Sequence, residues 1–243
     1  MGFDRFYAPI TAIGDYFDSP KDIRRLIHKE FFYKSKKELI IFISPGKKEP
    51  FAFALKRRVL KRDKSYLEYY FPERLVSKDY KLTKKIFKIV KKKIRADIHK
   101  LRKRFTKITL IGMSVGCANT LMIADNNQDI DKLILVIPGN CLAEGIWKSV
   151  RTKRLKKEIE KKITLKELKK YWKDISPENN VSNIKAKEVY FYLSKADESI
   201  PYENGLILFN LLKKHGHNPI LRENKHLGHY LTAVSFFMFS KDI

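Results

Sequence analysis

Short runs of branched apolar residues alternate along the chain with longer stretches in which apolar positions recur every three or four residues. Six runs read as buried strands: Leu39–Ser44, Tyr66–Phe71, Ile108–Gly112, Leu133–Ile137, Val189–Leu193 and Pro219–Arg222. Between them Glu49–Lys61, Leu82–Phe105, Cys117–Ala124 and Pro201–His215 read as helices. The last has Pro201 near its first turn and Gly216 just past its end, the positions where these residues favour a helix boundary. Strand followed by helix, repeated, predicts an α/β fold: a mostly parallel sheet with helices on both faces. The N-terminal part is less regular. There Ser19-Pro20 can start a helix running to about Glu30, and Phe31–Tyr33 reads as an edge strand.

One segment interrupts the alternation. From about Leu142 to Asn180 there is no strand pattern but two helical ones. The second opens with Thr164-Leu165-Lys166-Glu167, a capping box in which hydroxyl and carboxylate each satisfy an end amide. This predicts a helical lid insertion at about 142–180 within a single domain spanning 1–243, since no internal repeat or low-complexity linker divides the chain. Ile146, Trp147, Leu155, Ile159, Leu165, Leu168, Tyr171 and Trp172 make up the apolar side of the insertion. They either present it to an acyl chain or pack the insertion onto the core.

Charge adds a second pattern to this picture. The 243 residues carry 52 Lys+Arg against 27 Asp+Glu, a formal net charge of +25, while 44% apolar residues exclude a disordered chain. The excess is concentrated: thirteen Lys or Arg against Asp97 alone between Lys81 and Lys107, and twelve against Glu158, Glu160 and Glu167 between Lys148 and Lys173. Such stripes attract nucleic acid or an anionic membrane surface by counterion release and surface potential. Against that reading, Ile86, Val90, Ile94, Ile98, Leu101 and Phe105 repeat at helical spacing through the first stripe, so its lysines are equally the solvated face of an amphipathic helix. Neither stripe interleaves aromatic with basic residues as a stacking platform for bases would.

The N-terminus, MGFDRFYAPI, has no basic region followed by an apolar run and a small-residue cleavage site, so a cytoplasmic protein is expected. The uncharged stretches Ile108–Ala124 and His226–Ser240 are shorter than the ~20 residues a spanning helix needs. Cys117 and Cys141 stand apart from any metal-ligand spacing and read as small buried residues.

The chemistry is concentrated at Gly112-Met113-Ser114-Val115-Gly116, a G-x-S-x-G motif between the strand ITLIG and the helical segment CANTLMIA. A sharp strand-to-helix turn holds its serine in a strained conformation, and the glycines two residues to either side leave room for that turn. The hydroxyl is then exposed at a helix N-terminus, where the Val115 N–H and the helix dipole favour negative charge on a tetrahedral intermediate. A serine alone is a weak nucleophile, so a base and an orienting acid must follow in chain order. Asp197 stands at the end of the strand VYFYL, and His229, preceded by Gly228, follows the last strand, with His226 as the fallback base. Each residue has a structural alternative: Ser114 in a packing turn, Asp197 capping the helix near Pro201, His229 merely opening the last helix.

Taken in order, GMSVG, the Ser176-Pro177 turn, Asp197-Glu198-Ser199-Ile200-Pro201 and Gly228-His229 resemble the α/β-hydrolase superfamily over most of the chain from about Leu39. The resemblance implies Ser114 as nucleophile, Asp197 as acid and His229 as base, with a second oxyanion amide from the loop Ser44-Pro45-Gly46-Lys47-Lys48. Where the superfamily usually has His-Gly or Gly-Gly, this loop has Pro45-Gly46-Lys47, which leaves Gly46 and Lys47 as alternative donors. Cys117 replaces a common glycine after the motif, a small-residue exchange expected to lie against the sheet, and the strand near Tyr69-Tyr70-Phe71-Pro72 lacks the usual Asp-x-x-Gly-x-Gly turn, the mark of a divergent branch. The expected activity is a serine esterase acting on a small acyl ester, without cofactor or metal; thioesterase, acyltransferase and peptidase activities share its acyl-enzyme chemistry. The competing expectation is a non-catalytic protein of the same fold that binds nucleic acid or anionic lipid.

Overall fold

The computed structural model describes residues 26–71 and 75–243. Its strands are β1 (His28–Phe32), β2 (Glu38–Ile43), β3 (Ser65–Tyr70), β4 (Lys107–Met113), β5 (Lys132–Val136), β6 (Glu188–Ser194) and β7 (Ile220–Asn224). They form a seven-stranded sheet in the order β1-β3-β2-β4-β5-β6-β7. All neighbours are parallel except β1, which runs antiparallel along β3. The helices are α1 (Ala52–Lys61), α2 (Tyr80–Arg102), α3 (Val115–Ala124), α4 (Leu142–Lys148), α5 (Lys153–Glu160), α6 (Leu165–Tyr171), α7 (Tyr202–Lys214) and α8 (His229–Phe239).

The apolar runs are continuous because the sheet is covered on both sides. Along β2, Leu39, Ile41 and Ile43 enter one core with residues of α2, α3 and α7, whereas Ile40 and Phe42 enter the other with residues of α1 and α8. A shift of one residue in strand register would exchange the two sets, so both cores hold the pairing in place.

Several expected boundaries move for local reasons. The first helix begins at Ala52 rather than Glu49, because Pro50 disfavours helical geometry at the residue before it and Phe51 takes the cap position. Residues 28–30, expected as the end of a helix from Ser19-Pro20, belong instead to β1, where they pair with Tyr70, Tyr69 and Glu68; the rest of that expected helix lies outside the described residues. The edge strand itself is present, at His28–Phe32 rather than Phe31–Tyr33.

Between β5 and β6 there are three α-helices rather than two helical patterns. Ser149 turns extended after α4, and its side chain accepts from the Arg151 N–H to start a 3₁₀ turn at Val150–Thr152 before α5. The Thr164–Glu167 capping box is formed as read, with Glu167 N–H to Thr164 Oγ1 at 3.3 Å and Thr164 N–H to Glu167 Oε2 at 2.9 Å. The apolar residues of this segment face inward: Ile146, Leu155, Ile159, Leu168 and Trp172 are buried in the core shared with α2 and α3, and Trp147, Leu165 and Tyr171 pack against it. Of the two roles open to them, packing is the one they perform. The Trp172 Nε1–H donates to the Tyr80 carbonyl at 2.9 Å, and Lys84 and Lys88 both reach Asp174, at 2.8 and 2.9 Å. Among the described residues no helix is long and apolar enough to cross a membrane.

Candidate active site

Residue 114 lies where β4 turns into α3, with φ +51° and ψ −125°, a conformation that L-residues with a Cβ adopt only under constraint. The constraint comes from packing on both flanks. A Cβ at Gly112 would lie 2.3 Å from Thr120 Oγ1 and 3.0 Å from Cys117 Cα; one at Gly116 would lie 2.5 Å from the Ile43 carbonyl oxygen. The motif glycines therefore allow α3 to press against β4 and the end of β2, and the close approach leaves the serine at the tip of the turn. The Ser114 N–H is held by the Val136 carbonyl at 2.9 Å. Its hydroxyl makes no capping bond to α3.

The hydroxyl is instead part of a chain of contacts. Ser114 Oγ lies 3.2 Å from His229 Nε2, and His229 Nδ1 lies 2.7 Å from Asp197 Oδ2. The other carboxylate oxygen of Asp197 accepts the N–H groups of Ser199 and Ile200, both at 2.8 Å, which fixes the carboxylate in its own loop; α7 receives no side-chain cap. The His229 side chain is 8% exposed and that of Asp197 2%. With Asp197 as carboxylate, Nδ1 carries the imidazole proton and Nε2 is left as the acceptor facing the hydroxyl. His226, the fallback, is exposed on the preceding loop. Cys117, in the first turn of α3, is fully buried with its thiol directed at the Val136 carbonyl, and burial pushes its pKa well up, so it stays a protonated thiol.

The three side chains come from three turns at the C-terminal edge of the sheet, where open α/β sheets place their sites. Val115 opens α3, and its N–H has no partner within the helix. The loop 44–48 runs beside it: the Gly46 carbonyl accepts from Phe71 at 2.7 Å and the Lys47 carbonyl from Ser44 Oγ at 2.8 Å. With both carbonyls tied, the N–H groups of Gly46 and Lys47 donate to no acceptor among the described residues.

Two features of the site escape the sequence reading. Ser194, at the end of β6 and 1% exposed, donates to the Leu227 carbonyl and accepts from the Ala196 N–H at 3.1 Å, so it ties the Asp197 loop to the His229 loop. Asn224 continues the link, accepting from Leu227 N–H at 2.9 Å and donating to Thr232 Oγ1 at 2.9 Å. The available signal was a serine where the apolar run of a buried strand ends. The second is Ile137, a buried β-branched residue at φ +49° directly after β5, for which the sequence offers no signal. A left-handed residue of this kind costs roughly 1–2 kcal/mol, and it is retained beside the strained serine.

This geometry can be set beside known proteins. The model of the prolyl oligopeptidase family matches residues 99–236, more than half of the chain and all of the segments just described from β4 onward. The chain belongs to the prolyl oligopeptidase family. Membership of the family and the sheet topology place the chain in the α/β-hydrolase superfamily, among serine hydrolases of this fold. Solved structures agree on the fold. Pyrococcus horikoshii acylaminoacyl peptidase superposes with a TM-score of 0.65 at 12% identity, over 93% of this chain and 38% of that one. Porphyromonas gingivalis dipeptidyl peptidase 4 gives 0.62 at 11% identity, over 87% and 33%. Acetyl xylan esterase 1 from Thermoanaerobacterium sp. gives 0.63 at 12% identity, over 88% and 80%. The chain thus spans about a third of the length of these two peptidases. No curated protein matches it in sequence.

Proposed function

We propose that this member of the family hydrolyses a carboxylic ester through an acyl-enzyme on Ser114. The observation that carries the reading is the serial contact Ser114 Oγ, His229, Asp197, at 3.2 and 2.7 Å, between residues far apart in sequence. In this mechanism His229 Nε2 takes the hydroxyl proton as Oγ attacks the carbonyl. Asp197 holds the imidazole tautomer and stabilises the imidazolium, and the same proton is then given to the leaving alkoxide. The oxyanion is held by the Val115 N–H with that of Gly46 or Lys47, supported by their having no acceptor of their own. Water then repeats the cycle and frees the acid. An ester is favoured over an amide because an alkoxide leaves with less demand on the positioning of its proton donor.

The insertion between β5 and β6 acts here as a lid only through its near end. Its long apolar residues are consumed by packing, whereas Arg151 reaches Glu198, next to Asp197, at 3.9 Å beside the exposed Val150. The buried free thiols Cys117 and Cys141 fit a reducing, cytoplasmic setting.

A fluorophosphonate probe tests the reading: it labels the wild-type chain at Ser114 and leaves Ser114→Ala and His229→Ala unlabelled. An unlabelled wild type that is folded ends the proposal. The second reading, a surface for nucleic acid or anionic lipid, is favoured by one observation: contacts of Lys84 and Lys88 with Asp174 bring the start of the first basic stripe to the end of the second. It requires polyanion binding that weakens steeply with salt and is unchanged in Ser114→Ala.

A further inference from the structure

The sheet ends at β1, and Phe31 on that strand and Tyr33 just after it are 40% and 52% exposed. Both rings lie against Phe105, which follows α2 and is buried, with centroids 6.4 Å from its own in each case. Phe32 between them turns to the opposite side of the sheet, where Lys56 Nζ stands 4.1 Å from its centroid. Two half-open rings thus share one side of the strand at the rim of the protein. An edge strand is ordinarily guarded by charge, and packing alone gives no reason to show aromatic rings there.

Cations gather around these rings from two segments. The carbonyls of Lys36 and Lys37 accept the N–H groups of Thr106 and Lys107 at 3.2 and 3.0 Å, which lays the loop after β1 along the residues that follow α2. Lys34, Lys36 and Lys37 on the first segment and Lys100, Lys103 and Arg104 on the second are all exposed. The neighbouring acids are engaged by other residues: Asp97 by Lys29 at 2.9 Å, Glu38 by Lys64 at 2.8 Å and Asp131 by Arg102 at 2.5 Å. None of the six has an ion-pair partner among the described residues. Round the strand edge an open groove of about 790 Å³ continues from Phe31 and Tyr33 past Arg57 and Lys61, with Asp63 as its one acid.

We propose that this surface at the β1 edge binds single-stranded nucleic acid, with bases stacked on Phe31 and Tyr33 and phosphates facing the cations around them. Open rings among unpaired cations suit a single strand, because every nucleotide brings one π-face and one negative charge. A bilayer surface is instead met by an amphipathic face whose aliphatic residues enter the lipid, and here the exposed Val150, Leu231 and Met238 stand on other elements. The basic stripe along α2 lacks aromatic residues in sequence, and the fold supplies them from a remote segment through Phe105. The inference rests on the second reading above, to which it gives a place and a partner, and it is independent of acyl transfer.

Fluorescence anisotropy of the full chain with a labelled oligothymidylate of about 12 nucleotides tests this. Saturable binding is expected, weakening about tenfold or more as salt rises from about 50 to about 200 mM. Phe31→Ala and Tyr33→Ala each lower the affinity about fivefold or more, the effect of losing one stacked base, while Tyr33→Phe keeps the ring and binds as the wild type does. An abasic oligomer of the same length, equal in charge but without bases, binds weaker by at least the same factor, and phosphatidylserine vesicles of matched charge leave the oligothymidylate bound. Absence of any salt-sensitive binding overturns this proposal and the second reading together. Equal affinity for the abasic oligomer, undiminished binding in a folded Tyr33→Ala, displacement by the vesicles, or a dimer in sedimentation that Tyr33→Ala dissociates overturns this proposal alone, the last by giving the edge to a second copy of the chain.

Discussion

The turns around Ser114 and the inserted helices between β5 and β6 are both conspicuous in sequence, and they use their residues in opposite ways. In the insertion most of the apolar residues are buried or packed against the core and most of the charged ones face out, so packing and solvation explain most of its side chains. At the site the buried side chains are polar: those of Asp197 and His229 pair with each other and those of Ser194 and Thr232 bond Asn224 and the loop carbonyls, while the backbone at Ser114 and Ile137 is strained. Buried polar groups and positive φ do not help a chain fold, so their clustering marks where structure has been spent on chemistry. A stripe of aromatic and aliphatic residues carries no such information, because a core requires it anyway.

The sharpest way to break this contrast is at Asp197. Asp197→Asn keeps the loop bonds that Ser199 and Ile200 make but presents the wrong partner to Nδ1, and kcat on an ester should fall about 10⁴-fold with little change in melting temperature. A loss below tenfold would make the carboxylate structural. Trp172→Ala tests the other side: removing a fully buried ring should cost about 3–5 kcal/mol in urea unfolding while kcat and KM at permissive temperature stay near wild type. A selective rise in KM for longer acyl chains would return the insertion to substrate binding.

Glu68 offers an intermediate case, a buried polar residue outside the reacting group. Its carboxyl is raised from 4.5 in the unfolded chain to about 7 in the fold, so the folded state holds the extra proton between these values. Stability conferred by this group is present below about 4.5 and is lost as pH rises through about 7. Glu68→Gln, which removes that dependence, should therefore gain roughly 2–3 kcal/mol on wild type at pH 8 and almost nothing at pH 4.5, read from paired denaturation curves. The smallest effect is expected at Thr164→Ala, which opens the capping box and should cost about 1 kcal/mol without altering turnover.

Legibility in the sequence followed the range of the interaction. The interior strands were readable to within a residue or two because a run buried on both faces needs no knowledge of its partner. The turn at Ser114 was readable because its glycines answer to a steric demand within a few residues, and Thr164–Glu167 because a cap is a local bond. Less legible were elements governed by a neighbour remote in sequence. Residues 28–30 became part of a strand because β3 offered them an edge, and the eight apolar residues of the insertion turned inward because α2 and α3 were there to receive them.

By itself, then, the chain determined its period: which segments are strands, which are helices, and where a strained serine stands at a helix start. Only the tertiary structure decided which distant groups meet, among them His229 rather than the exposed His226 beside Ser114, Ser194 joining two loops, and two basic stripes brought together through Asp174. It also decided that a glutamate on β3 is sealed inside the sheet with an open acceptor. The physical reason is that backbone sterics and hydrophobic period act over a few residues. Desolvation and hydrogen-bond partnership, by contrast, depend on what strand order and register bring alongside.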